Sequence, residues 1–212
     1  MKTALIITAF NRPQYLSKTL ESLKSVDYPK DTLVVIVDDS SNDLLAIKLL
    51  NEFSLGIIPL VKLIKDKNKG IKDSIELGVD TAISFGYETF INLDADAIVK
   101  PNFINRLLEL KKKFNDKIVS GFNSKNKDNG VLRNPIINEY ADFIEKRYCN
   151  GINMCFDLSQ YKNIIKPALQ GVGNWDFDTH KNTNSFIIAK PSLVEHIGIE
   201  SSMGHSNNPD VS

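Results

Sequence analysis

The chain has 212 residues, of which 42% are hydrophobic and 25% charged, enough to bury a substantial core and too apolar for wholesale disorder. Its 26 basic and 26 acidic side chains cancel, and no basic tract stands out, which argues against sequence-independent binding to nucleic acid. No stretch approaches the ~20 apolar residues of a membrane span, and the opening apolar run falls short of a ~7–15-residue secretory core.

Residues 3–10 (TALIITAF) therefore read as a first strand. Residues 12–26 follow as a helix with Leu16, Leu20 and Leu23 at helical spacing; Asn11 is its expected cap, with Pro13 in the first turn and Gln14 in the reciprocal capping position. A strand over 33–41, a helix over 42–53 and a strand over 57–64 come next. Residues 70–86 carry Ile71, Ile75, Val79 and Ile83 on one helical stripe, with Gly86 as the stop. A strand over 88–95, a helix over 101–114 and a strand over 117–122 complete the regular half. Continuous apolar strands alternating with helices predict an α/β fold, a mostly parallel sheet covered on both faces.

The second half is less regular. Residues 123–135 read as a polar, mobile loop over a site. A helix is expected around 138–147, a strand over 150–156, a polar segment over 171–180, and short strands near 184–189 and 192–197. Cys149 and Cys155 have no second pair to complete a zinc site and read as buried thiols, so the expected compartment is the reducing cytoplasm. With no internal repeat or linker, a single domain over 1–212 is expected.

In an open α/β sheet, ligands gather at the carboxyl ends of the strands. Those ends carry Thr8 and Asn11, then Asp38 and Asp39, then Asp66 to Gly70, then Asp94 and Asp96. Carboxylates are costly there unless a cation or donor meets them. In extended backbone Asp94 and Asp96 face one side and can converge on one object, for which Mg²⁺ or Mn²⁺ is the natural candidate. The bland alternative is that both cap the helix opening at Pro101 or face solvent.

The stretches IITAFNRPQYLSKTLESL, VVIVDDSSND, NKGIKDSIELG and FINLDADAIVKPNFI, in this order, resemble a family 2 glycosyltransferase of the GT-A fold over residues 3–110. The resemblance implies a nucleotide-sugar-binding half (1–100) and an acceptor-binding half (101–212). It implies that Thr8, Asp38 and Asp39 face the nucleoside, with Asn11, Asn68 and Gly70 beside it and Asp94 near the ribose or donor sugar. Asp96 would ligate Mn²⁺ or Mg²⁺ directly, Asp94 and His196 being the other candidate ligands. The chain departs from the family pattern at Ser74 and Glu76 and is short for it.

Transfer to a hydroxyl with inversion needs a protein base for the acceptor proton and a Lewis acid for the leaving diphosphate. The segment GNWDFDTH resembles the acidic acceptor-side motif of such enzymes, with Asp176 favoured as base over Asp178. Both are otherwise read as residues placed to suit a helix N-terminus, and Trp175 as core rather than a stacking platform. His205 is the substitute for His196 as a ligand, and His180 is expected to cap its helix. The expected partners are a UDP-sugar donor and a glycan, glycoprotein or lipid-linked acceptor. Three other classes fit less well. A haloacid-dehalogenase-like phosphatase opens its chain with the DxD, a pyrophosphorylase carries a Gly-rich basic loop after strand one, and a non-catalytic nucleotide-sugar-binding or carbohydrate-binding module transfers nothing.

Overall fold

A computed structural model describes residues 2–128, 131–132 and 134–198. The regular half follows the expected alternation: β1 (Thr3–Ala9), α1 (Pro13–Leu23), β2 (Thr32–Asp38), α2 (Leu44–Glu52), β3 (Leu60–Ile64), α3 (Ile71–Ser84) and β4 (Thr89–Asp94). A three-residue strand, β5 (Ala97–Val99), comes before α4 (Phe103–Lys113) and β6 (Ile118–Ser120). Next come β7 (Lys127–Asp128), β8 (Val131–Leu132), β9 (Ile136–Glu139), β10 (Phe143–Lys146) and β11 (Asn153–Asp157). Residues 158–170 form α5 (Leu158–Gln160), a π-turn (Tyr161–Ile165) and α6 (Lys166–Gln170), and α7 (Trp175–Asp178), β12 (Phe186–Ala189) and β13 (Val194–His196) end the described chain.

One nine-stranded sheet runs in the order β3-β2-β1-β4-β11-β6-β12-β10-β9. Strands β3, β2, β1 and β4 are parallel, whereas β11 runs antiparallel to β4 and β10 antiparallel to β12. Side chains alternate between faces as the strand period requires. Leu5, Ile7, Val34 and Ile36 pack with Leu16 and Leu20 of α1, Leu50 of α2 and Leu107 of α4. Ala4, Ile6, Val35 and Val37 pack on the other face, with Ile75 and Val79 of α3 and with Ile165, Leu169 and Trp175. The inner parallel strands β1, β2 and β4 therefore read as nearly unbroken apolar runs, because each is buried on both sides, whereas β3 at the sheet's edge is only partly buried and carries Lys62.

Two expected elements are corrected. The helix around 138–147 is instead the β9–β10 hairpin at the sheet's edge. Phe143 and Ile144 are consecutive and both buried, but they enter opposite cores, which an extended chain allows and a helix does not. Asn11 does not cap α1. The N-cap is Arg12, in the left-handed region and without a side-chain cap bond, while the Asn11 amide oxygen accepts from Asn42 N and Asp43 N, each at 2.9 Å. Residues 123–135 are partly extended, through β7 and β8.

Cys149 and Cys155 are buried free thiols, both pushed up to about 12 by desolvation. Among the described residues, no helix is long and apolar enough to cross a membrane.

His180 is packed in rings rather than capping a helix: its centroid lies 4.3 Å from Tyr148, 5.1 Å from Phe177 and 5.4 Å from Phe186. Burial, followed by the charge of Arg147 and opposed by Asp178, pushes its pKa down to about 4 from an ordinary ~6.5. The folded state thus favours the neutral ring. Its contribution is full above ~6.5 and is lost as pH falls towards about 4, where the unfolded chain binds the extra proton. In urea titrations at neutral and mildly acid pH, His180→Phe should lose less stability on acidification than the parent. Equal losses would remove His180 as the sensitive group.

Candidate active site

The polar ends of β1, β2 and β4 and the loop after β3 enclose a cavity of about 390 Å³. Thr8, Asn11, Asp39, Asn68, Gly70, Asp94 and Asp96 all line it, as does Arg12, which sequence reasoning passed over. Three non-glycine residues at these strand ends, Asn11, Arg12 and Ser40, have φ of 51°, 55° and 64°. Such backbone costs ~1–3 kcal/mol per residue and persists where the surroundings over-determine it. Here Asn11 N donates to Ser41 Oγ at 2.7 Å while the Asn11 side chain ties down the turn before α2.

The two aspartates ending β2 differ in their surroundings. Asp38 is buried outside the cavity lining, accepting from Ser41 N at 3.1 Å and from Ser41 Oγ at 2.5 Å. Asp39 lines the cavity and accepts from Lys69 N and Gly70 N at 2.9 and 2.7 Å. It also pairs with Lys65 Nζ at 2.5 Å, and the same ammonium meets Asp73 at 2.8 Å. Burial opposes the Lys65 charge, but these two carboxylates outweigh it and raise its pKa. Asp39 thereby fixes the 65–70 loop and the start of α3 against the cavity.

Asp94 ends β4 and Asp96 lies in the turn before β5. Asp96 Oδ2 meets Arg12 Nη1 at 2.8 Å and His196 Nε2 at 3.3 Å. The histidine arrives because β13 pairs antiparallel with β5, His196 opposite Ala97, and Ile197 N donates to Asp96 O at 2.9 Å. A side chain at Gly198 would run into the Asp96 carboxylate and the Arg12 guanidinium and displace that pair. Burial raises the pKa of Asp96, yet His196 and Arg12 outweigh it and hold it below the usual carboxylate range. Asp94 goes the other way: burial first, then Asp96 and Asp176, push it well up. Asp94 Oδ1 and Asp96 Oδ1 are both buried and without a hydrogen-bond partner. Two orphaned carboxylate oxygens at one strand end suit a hard divalent cation. Among the described residues, no cluster of three or more His, Cys, Asp or Glu is assembled for a metal, so His196 reaches Asp96 without completing a triad. His205 lies outside the described residues.

A second cleft of about 330 Å³ shares Ile71 and Asp94 with the first cavity and is lined on its far side by Gly151, Trp175 and Asp176. Asp176 Oδ2 accepts from Gly151 N at 3.2 Å and Oδ1 from Phe177 N at 2.8 Å. Asp178 lies outside this lining. Its carboxylate is packed against the backbone of Gly171 and Gly173 and pairs with Lys181 at 2.7 Å. Trp175 is only 5% exposed and belongs to the core. Lys72 Nζ donates to Gly171 O and Gly173 O at 2.7 and 2.6 Å, strapping this loop to α3. Nothing in the local pattern marks Lys72 or Gly151, whose partners lie far along the chain.

A family model described as "Glycosyl transferase family 2" matches residues 4–171. The chain is similar to an "Uncharacterized glycosyltransferase" of Haemophilus influenzae, 29% identical over 55% of this chain and 34% of the relative. It is 27% identical to the "Poly-beta-1,6-N-acetyl-D-glucosamine synthase" of Staphylococcus epidermidis over 82% of this chain and 42% of that protein. The chain therefore spans well under half the length of both curated relatives. Among solved structures, GalNAc-T7 with UDP, GalNAc and Mn²⁺ superimposes with a TM-score of 0.71 at 15% identity, covering 92% of this chain and 44% of that one. The likeness shows a shared fold, that of the GT-A glycosyltransferases.

Proposed function

The chain belongs to glycosyl transferase family 2, and from that premise we propose that it transfers a sugar with inversion from a UDP-sugar to an acceptor hydroxyl. The observation that carries this reading is the sharing of Asp94 and Ile71 between the strand-end cavity and the cleft lined by Asp176. A donor in the first would present its reacting carbon to an acceptor in the second.

Of the two carboxylates that end β2 only Asp39 lines the cavity. Lys65, Lys69 N and Gly70 N already meet it, and its remaining lone pair is the one that would accept from a base N–H or a ribose hydroxyl. Thr8, Asn68 and Gly70 line the same nucleoside wall. Asp176 takes the acceptor proton as the acceptor oxygen bonds to the anomeric carbon and the bond from that carbon to the diphosphate oxygen breaks, leaving UDP. Each of its oxygens already accepts one N–H, which aims the carboxylate while leaving lone pairs free. Asp178 has its carboxylate tied into the loop and is the lesser candidate.

A divalent cation, Mn²⁺ or Mg²⁺, held by Asp94 and Asp96 with His196 at its edge, would supply Lewis-acid stabilisation of the leaving diphosphate. The orphaned oxygens of the two aspartates support that placement, and the Mn²⁺ bound with UDP in the GalNAc-T7 structure is consistent with it. The acceptor is the hydroxyl of a glycan, glycoprotein or lipid-linked saccharide.

The donor and its cation are tested together by thermal melting. UDP at ~100 times its Kd should stabilise the fold by about 2.7 kcal/mol in Mn²⁺ and by much less in EDTA. Equal shifts with and without the cation would sink the bridged site, and a larger shift with GDP would reassign the nucleotide.

A further inference from the structure

Two asparagines stand in mid-sheet, Asn92 in β4 and Asn153 in β11, 1% and 0% exposed. Asparagine is disfavoured in strands, and a buried amide is costly unless it is bonded. Three of the bonds they make reinforce the sheet: Asn153 Nδ2 donates to Asn92 O at 2.8 Å, Asn92 Oδ1 accepts from Met154 N at 3.0 Å, and Asn153 Oδ1 accepts from Gly121 N at 2.8 Å. The fourth leaves it. Asn92 Nδ2 donates to Gly151 O at 2.5 Å, in the turn before β11.

Gly151 touches the acceptor side of the cleft twice. Its N–H donates to Asp176 Oδ2, and a Cβ built there would fall 2.6 Å from Trp175 Cζ2 and 3.2 Å from Asp176 Cβ. No side chain fits, so the bare backbone of the turn is the seat on which Trp175 and Asp176 rest. Their own helix does little to hold them, since α7 has four residues and no side-chain cap bond at Asn174.

We infer that Asn92 is a positioning residue for Asp176, acting through Gly151. The inference rests on the reading of Asp176 as the base. Asn92 touches neither cavity; it fixes the turn, the turn fixes the carboxylate, and a displacement of ~1 Å at a reacting group costs ~10²-fold in rate.

The test uses Asn92→Thr, which introduces a strand-favouring side chain and lacks the amide N–H, Asn92→Gln, which retains an amide, and Gly151→Ala. The threonine and alanine variants are each made alone and combined with Asp176→Asn. Donor affinity is read by UDP–Mn²⁺ titration and chemistry by kcat. Asn92→Thr and Gly151→Ala should keep UDP affinity within ~2-fold and lower kcat by ~10–100-fold, less than removal of the base. Added to Asp176→Asn they should cost little more, because the group they position is already disabled. Asn92→Gln should recover part of the loss. A merely structural role would lower melting temperature and donor affinity together and add its full loss to Asp176→Asn, which would overturn the inference. If Asn92→Thr fails to fold, Gly151→Ala decides, since it leaves the Asn92 bonds within the sheet intact; near-parental kcat then rejects the positioning path. Near-parental turnover in Asp176→Asn itself would instead bring down the base assignment. An inactive Asp176→Asn beside fully active Asn92→Thr and Gly151→Ala would reject only the positioning role.

Discussion

Asp176→Asn should bind UDP and the divalent cation as the parent does, yet turn over at least ~10²–10⁴-fold more slowly, the usual contribution of a positioned acid–base group. Asparagine keeps the shape of the side chain and its oxygen can still accept from Gly151 N or Phe177 N, so the fold around the cleft survives. It cannot take a proton. Donor affinity is preserved because Asp39, Asn68 and the rest of the nucleoside wall belong to the other cavity. Asp178→Asn has a different expected signature. Its carboxylate packs on Gly171 and Gly173 and pairs with Lys181, so the change should loosen the 171–178 segment and lower the melting temperature more than kcat. Release of UDP with a responsive acceptor, measured for both variants beside donor affinity, separates the two. Collapse in Asp178→Asn with near-parental Asp176→Asn would move the base two residues along.

Asp96→Ala should abolish cation-dependent UDP binding while leaving a folded chain. If Asp94 and Asp96 are the two carboxylate ligands as proposed, losing one should exceed the ~10–100-fold that outer partners of a metal site typically contribute. The change also strips Arg12 of its ion-pair partner, and Arg12 Nε is already buried without a partner. An uncompensated, partly buried charge destabilises, so the melting temperature should fall modestly rather than rise. Titration of UDP with and without Mn²⁺ reads the first effect and circular dichroism the second. UDP–Mn²⁺ affinity equal to the parent's would make the Asp94–Asp96 pair structural, with Arg12 and His196 its purpose.

The parallel half of the sheet was legible because burial on both faces writes itself as unbroken apolar runs, such as Leu33 to Val37, each ending in polar residues. The strand-end carboxylates were legible for the same reason: a charge directly after a buried run is an anomaly that local reading detects. Misreading the 138–147 region followed from the same local method. Phe143 and Ile144 fit a helical spacing with their neighbours until the two cores they enter are known. Asn11 illustrates a subtler failure, since an Asn before a Pro-containing helix start is a cap by pattern, while its real partners, Asn42 and Asp43, lie about thirty residues on.

By itself, then, the sequence determined the α/β alternation, the two-sided core and most of the polar residues at the strand ends that line the first cavity, though not Arg12, because these depend on the order and period of apolar residues along one strand or helix. Only the tertiary structure decided which carboxylates share a cleft. It separated Asp38 from Asp39, brought Asp176 to the side of Asp94, and set Arg12 and His196 on Asp96. It also tied Asn92 to Gly151 across 59 positions of chain. Such pairings depend on strand order and on helices packing from distant parts of the chain, and a hydrogen bond between residues so far apart leaves no periodic trace around either of them.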